Sequence, residues 1–107
     1  MKLAVSATGG SLAAQVAPQF GRAPYFVLVD TDRAGFSAVS NDNLDAVSGV
    51  GPQTASMLAR AGVTVILTGR IGPKARQALD AAGITCVEAV EGTVQSAIDA
   101  WRSRQPR

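Results

Sequence analysis

A tandem repeat restricts the fold of this chain more than any other feature of its sequence. Moved along from residue 50 to residue 71, the chain lies on itself. Val50 falls on Ile71, Gly51 on Gly72, Pro52 on Pro73, Leu58 on Leu79, Ala61 on Ala82, Gly62 on Gly83, Val63 on Ile84 and Thr64 on Thr85. Each copy has the marks of one helix followed by one strand. Proline at the first helical position costs nothing, because the leading N–H groups of a helix have no intrahelical acceptor. Glycine past the last turn adopts the left-handed conformation that closes a helix. The pattern predicts helices over 52–61 and 73–82 and strands over 63–68 and 84–88. Two such units in tandem place two helix N-termini side by side at one end of a sheet.

The rest of the chain supplies three strands and one helix. Lys2 to Ala7 reads as a short buried strand and ends in the flexible stretch Thr8-Gly9-Gly10-Ser11. Residues 12–19 are apolar but irregular, and Pro18 excludes a helix there. Tyr25 to Thr31 is rich in aromatic and branched residues, as a strand requires. Asp32 to Gly35 makes a hairpin connection to a third strand, Phe36 to Ser40, near an edge, and Asn41 to Ser48 is a polar loop. A last helix over 93–104 sets Val94, Ala97, Ile98 and Trp101 at core spacing. The order is β-β-β-α-β-α-β-α. The first three strands are too closely joined for parallel crossovers, whereas the last two each follow a helix and run parallel to a neighbour. The expected result is a single α/β domain over residues 1–107, a five-stranded mixed sheet with helices on both faces.

Composition narrows the chemistry. With 47% apolar and 17% charged residues the chain can form a core and does not read as disordered. A net charge of +2 is too small to mark a nucleic-acid binder. No stretch approaches the ~20 apolar residues of a membrane span, and the first residues lack the pattern of a signal peptide. A cytoplasmic protein is expected, with neither membrane nor nucleic acid among its partners. Arginine dominates the cations, and Arg102, Arg104 and Arg107 near the C-terminus read as a solvated helix end.

Histidine, the commonest general base and metal ligand, is absent from the sequence. The single cysteine, Cys86, falls within a strand expected to be buried, where a thiol is a core residue and not a nucleophile. Asp30 and Asp32 share one strand face and read as hairpin residues, although a pair of acids can in principle hold a divalent metal. No catalytic residue and no side-chain metal site emerges, and the chain does not read as an enzyme.

An oxyanion site built from backbone is what remains. The loops before the two repeat helices, Gly49 to Gly51 and Gly69 to Gly72, carry N–H groups at helix N-termini, where donors and dipole both attract anions. Arg70 and Lys74 flank the second. The loop Thr8 to Ser11 is expected beside them, at the carboxyl ends of the strands. Within Phe20-Gly21-Arg22-Ala23-Pro24, Arg22 is placed by a tight turn and either aims at an anion or merely accompanies Phe20 onto the core.

Several of these stretches, taken in order, resemble a known family. They are Pro18-Gln19-Phe20-Gly21-Arg22-Ala23-Pro24-Tyr25-Phe26, then Asn41, then Gly49-Val50-Gly51-Pro52-Gln53, then Thr68-Gly69-Arg70-Ile71-Gly72-Pro73-Lys74-Ala75. The family is the dinitrogenase iron–molybdenum cofactor-binding proteins, which include NifX, NafY, the C-terminal domain of NifB and an orange-protein-like branch of small stand-alone proteins of anaerobes. The resemblance spans residues 2–100. It implies a ribonuclease H-like, three-layer α/β/α fold with strand order 3-2-1-4-5 and strand 2 antiparallel. It also implies non-enzymatic binding, storage or delivery of a preassembled molybdenum–sulfur cluster. The cluster would be the iron–molybdenum cofactor or its precursor in one branch and a molybdenum–copper sulfide in the other, held non-covalently, with a protein partner for delivery. Carried onto this chain, the site comprises Thr8, Gly9, Gly10, Gln19, Phe20, Gly21, Arg22, Asn41, Gly49, Gly51, Thr68, Gly69, Arg70, Ile71, Gly72 and Lys74.

One position departs from the family. Its members commonly have His before Phe-Gly-Arg, where this chain has Gln19. The exchange removes a ligand to a cluster iron and suits a thiomolybdate-type anion that brings its own sulfide. Two other readings stand beside this one. A regulatory or scaffold domain without a ligand would use Trp101 and the basic tail as contacts. A nuclease of ribonuclease H type would need metals on Asp30 and Asp32.

Overall fold

Alternation along three central strands builds two cores, one on each face of a single sheet. In the computed structural model, residues 1–33, 35–41 and 50–104 are described, and of residues 50 and 51 only the backbone. The elements in order are β1 (Lys2–Ala7), a 3-10 turn (Phe20–Arg22), β2 (Tyr25–Asp30), β3 (Ser37–Ser40), α1 (Val50–Arg60), β4 (Val63–Leu67), α2 (Pro73–Ala81), β5 (Thr85–Val87) and α3 (Val94–Ser103). The sheet runs β3-β2-β1-β4-β5. β2 is antiparallel to both its neighbours, and β1, β4 and β5 are parallel. This is the order, and the single reversed strand, that the family resemblance implies.

Ala4, Phe26, Leu28 and Ile66 face one way and meet Ala55 and Leu58 of α1 and Ala75 and Leu79 of α2. Leu3, Val5, Val27, Val29, Val65 and Leu67 face the other way and meet Val94, Ala97 and Ile98 of α3. β1 is covered on both sides, so Leu3 to Ala7 are all buried and show no alternation of burial. Ala4 is small, and the rings of Phe20 and Phe26 fill the α1/α2 layer with centroids 5.4 Å apart and planes tilted by 56°. Phe20 is fully buried, so the turn Phe20–Arg22 is pinned by its own first residue.

The repeat is legible in the structure, with two adjustments. Gly62 and Gly83 end their helices at φ +87° and +77°, in the left-handed region. Pro73 opens α2, with Gly72 as N-cap. α1, however, begins at Val50, two residues before Pro52. A proline anywhere in the first turn loses no hydrogen bond, so Pro52 does not mark the exact start of its helix. Cys86 is a second correction. β5 is an edge strand, and its thiol is only half-buried, packed on the rim of the α1/α2 core. Burial still pushes its pKa above 9.0.

Candidate functional site

Because β1, β4 and β5 are parallel, Ala7, Leu67 and Val87 end at the same side of the molecule. Both repeat helices begin there. Three loops meet across this end through backbone hydrogen bonds. The N–H of Phe20 donates to the Arg70 carbonyl at 2.9 Å, that of Ala17 to Ser6 at 2.8 Å, that of Ala89 to Gly69 at 2.7 Å and that of Val90 to Thr68 at 3.1 Å. Gln19 and Arg70 pair as an isolated parallel bridge, which puts Gly21 and Arg22 on the segment alongside Arg70.

A buried polar contact fixes this junction from below. Ser6 Oγ stands 2.7 Å from Thr68 Oγ1 and 3.1 Å from the Ala17 carbonyl oxygen, so the two hydroxyl protons serve both contacts. Above it, Gly69 lies so close to Pro18 that a Cβ there would come within 2.4 Å of the Pro18 carbonyl oxygen. Glycine is required at residue 69 by this close approach, and not by its dihedral angles.

The residues singled out in the sequence separate into groups. Arg22, Arg70 and Lys74 are exposed, and none makes an ion pair among the described residues. Gly72 caps α2 without a side-chain hydrogen bond, and the first turn of α2 contains no acid. The N–H groups of Lys74 and Ala75, in the first turn, therefore have no side-chain cap and no intrahelical acceptor, and they carry their share of the helix dipole. Gln19 is exposed. Phe20, Ile71 and Thr68 are buried and carry the frame. Asn41 is buried too, donating from Nδ2 to the Ala23 carbonyl at 2.9 Å and accepting from Thr54 Oγ1 at 3.4 Å. Gly49 lies outside the described residues, as does most of the polar loop before it, and Gly51 is in the first turn of α1.

Two expectations change. The loop Thr8 to Ser11 does not lie against the helix starts. A Cβ on Gly10 would sit 3.2 Å from that of Ala38, and Leu12 and Ala14 pack on the α3 core. The loop folds over the opposite face, and it is the following stretch, from Ala17 to Arg22, that crosses to α1 and α2. Ile71 is the second change. Its N–H is not free, because it donates to Glu88 Oε1 at 2.8 Å. Glu88 Oε2 in turn accepts from Arg76 Nη1 at 3.0 Å. Glu88 thus supplies, from the end of β5, the negative charge that the first turn of α2 lacks. The sequence pattern set Glu88 inside the strand 84–88, whereas β5 ends at Val87, so nothing in the sequence singled it out. Ala89, next to it, sits at φ +62°, the left-handed region that a residue with a Cβ enters at a cost.

Asp30 and Asp32 lie at the other end of the sheet. Asp32 accepts from the Met1 ammonium at 2.9 Å, and the Asp30 carboxyl is held below its ordinary range mainly by the N–H of Asp32. Among the described residues there is no group of three or more His, Cys, Asp or Glu that could hold a metal ion, and no helix is long and apolar enough to cross a membrane.

The model of a protein family described as dinitrogenase iron-molybdenum cofactor matches residues 1–104. The chain belongs to this family. Among solved structures, the apo form of the orange protein from Desulfovibrio gigas superposes with a TM-score of 0.92 at 41% identity, covering 95% of this chain and 87% of that one. A Thermotoga protein described as a candidate NifB gives 0.85 at 32% identity over 96% and 88%. An uncharacterized protein of Methanocaldococcus jannaschii is 29% identical over an alignment of 87 residues that covers 78% of this chain and 74% of that one. Membership of the dinitrogenase iron-molybdenum cofactor family and likeness to the orange protein agree with the resemblance read from the motifs.

Proposed function

We propose that the protein binds a preassembled, anionic molybdenum–sulfur cluster as cargo and carries or stores it without chemical change. The observation that carries this reading is the cationic end of the sheet. Arg22, Arg70 and Lys74 are exposed and make no ion pair among the described residues, and they lie by the N-terminus of α2, whose N-cap Gly72 offers no side-chain acceptor. Such a donor set offers charge and N–H groups but no thiolate or imidazole. It fits a cluster that brings its own sulfide ligands and needs no metal–protein bond, as a thiomolybdate with copper does, better than one that must be ligated by the chain. Family membership and the likeness to the orange protein support the same choice. Gln19, exposed where relatives commonly have His, points the same way.

The test is titration of the protein with tetrathiomolybdate and copper(I) without air. A charge-transfer band that stays with the protein through desalting is expected, together with amide shifts confined to residues 19–22 and 69–75. Arg22→Ala and Arg70→Ala should weaken retention. No retained band and no shifts in the unaltered protein would end this reading for that cluster.

A further inference from the structure

A groove of about 170 Å³ opens on the α3 side of the sheet. Its floor is Leu12, Val29 and Ile98, and its polar rim is Arg33, Gln95 and Arg102. Gln95, Ile98 and Arg102 form one stripe along α3, while Arg33 comes from the connection after β2. The two arginines thus converge from elements far apart in sequence. Neither makes an ion pair among the described residues. The nearby acids are engaged elsewhere: Asp32 and Asp30 face the Met1 ammonium, and Asp99 accepts from Gln95 Nε2 at 2.9 Å. Arg33 feels Asp30 electrostatically without pairing to it. Phe36, beside the groove-lining Gly35, is 46% exposed.

Size decides between occupants. Sites for small molecules usually enclose roughly 300–1,000 Å³, and this groove is well below that. It has room for one apolar side chain, and its rim asks for negative charge. We propose that the groove docks a short acidic segment of a partner protein, with one apolar side chain on Leu12, Val29 and Ile98 and carboxylates on Arg33 and Arg102. β2 is antiparallel to β1, so Arg33 lies at the end of the sheet opposite Ala7 and Leu67. α3 also finishes there. A partner seated in this groove leaves the Arg22, Arg70 and Lys74 end open, as a carrier that hands over cargo requires. The docking chemistry stands on the groove; only its purpose rests on the carrier reading.

The experiment is amide shift mapping of the full chain with a synthetic blocked peptide, Asp-Glu-Leu-Glu-Glu. Shifts should fall on residues 33–36 and 95–102. Affinity should drop at least tenfold in the variant Arg33→Glu/Arg102→Glu, whose folding is checked by its amide dispersion. A peptide with Ser for Leu, and one with Gln for each Glu, should lose binding to the unaltered protein, which tests the idea without any change to the fold. Shifts clustered at 69–74, equal binding by the double variant, or hexanoate binding as tightly as the peptide would each overturn the proposal. Peptide binding that persists where cluster uptake fails would remove the carrier reading alone.

Discussion

Glu88 and Ile71 are joined at the start of α2: the carboxylate accepts the backbone N–H at 2.8 Å and holds Arg76 with its other oxygen. The pair ties the end of β5 to the loop that carries Arg70. Glu88→Ala should leave the Ile71 N–H without its acceptor. The Glu88 side chain is 38% exposed, so water replaces part of the bond and the loss should be about 1 kcal/mol. Faster hydrogen exchange at Ile71 than at the amides of β1, with a lower urea midpoint, is the expected result.

Gly69→Ala should be far more damaging. The added methyl would enter the space of the Pro18 carbonyl, which is backbone and cannot swing aside. A loss of roughly 2 kcal/mol or more is expected, and it should appear in urea unfolding with an unchanged slope. Gly72→Ala, where a Cβ meets nothing, should be tolerated and serves as the control.

If the protein holds a cluster as proposed, salt should weaken that binding in proportion to the charges involved. Arg22, Arg70 and Lys74 are exposed, so each contributes only about 0.2–1 kcal/mol, a few-fold in affinity. Removing all three should abolish most of the dependence on ionic strength between low and physiological salt. Titration of thiomolybdate into the triple Ala variant checks this.

Cys86 carries a pH dependence of definite sign. Burial raises its folded pKa above 9.0, despite the nearby Arg76. Well below the ordinary thiol pKa the group is protonated in both states, and its contribution is fully present. As pH rises past that value the unfolded thiol ionises first, and stability declines through the folded pKa. The decline should vanish in Cys86→Ser. Alkylation by iodoacetamide at neutral pH should be slower than for an unfolded control.

The sequence by itself determined the elements and their order along the chain. The repeat joining Val50 to Ile71 and Gly62 to Gly83 set two helix–strand units, and the short link from β2 to β3 forced an antiparallel pair. Both signals are local, resting on periodicity, capping and chain length, and they hold whatever the rest of the chain does. It also marked Gly69, Arg70 and Arg22 through their motifs. Tertiary structure decided what those residues face. That Gly69 backs onto Pro18, that Ser6 reaches Thr68, and that Glu88 takes the N–H of Ile71 are meetings of segments distant in sequence. They depend on which strand ends lie side by side. The same holds for Thr8 to Ser11, whose glycines fit either face of the sheet, and for Cys86, whose exposure follows from β5 lying at the edge and not from its apolar neighbours.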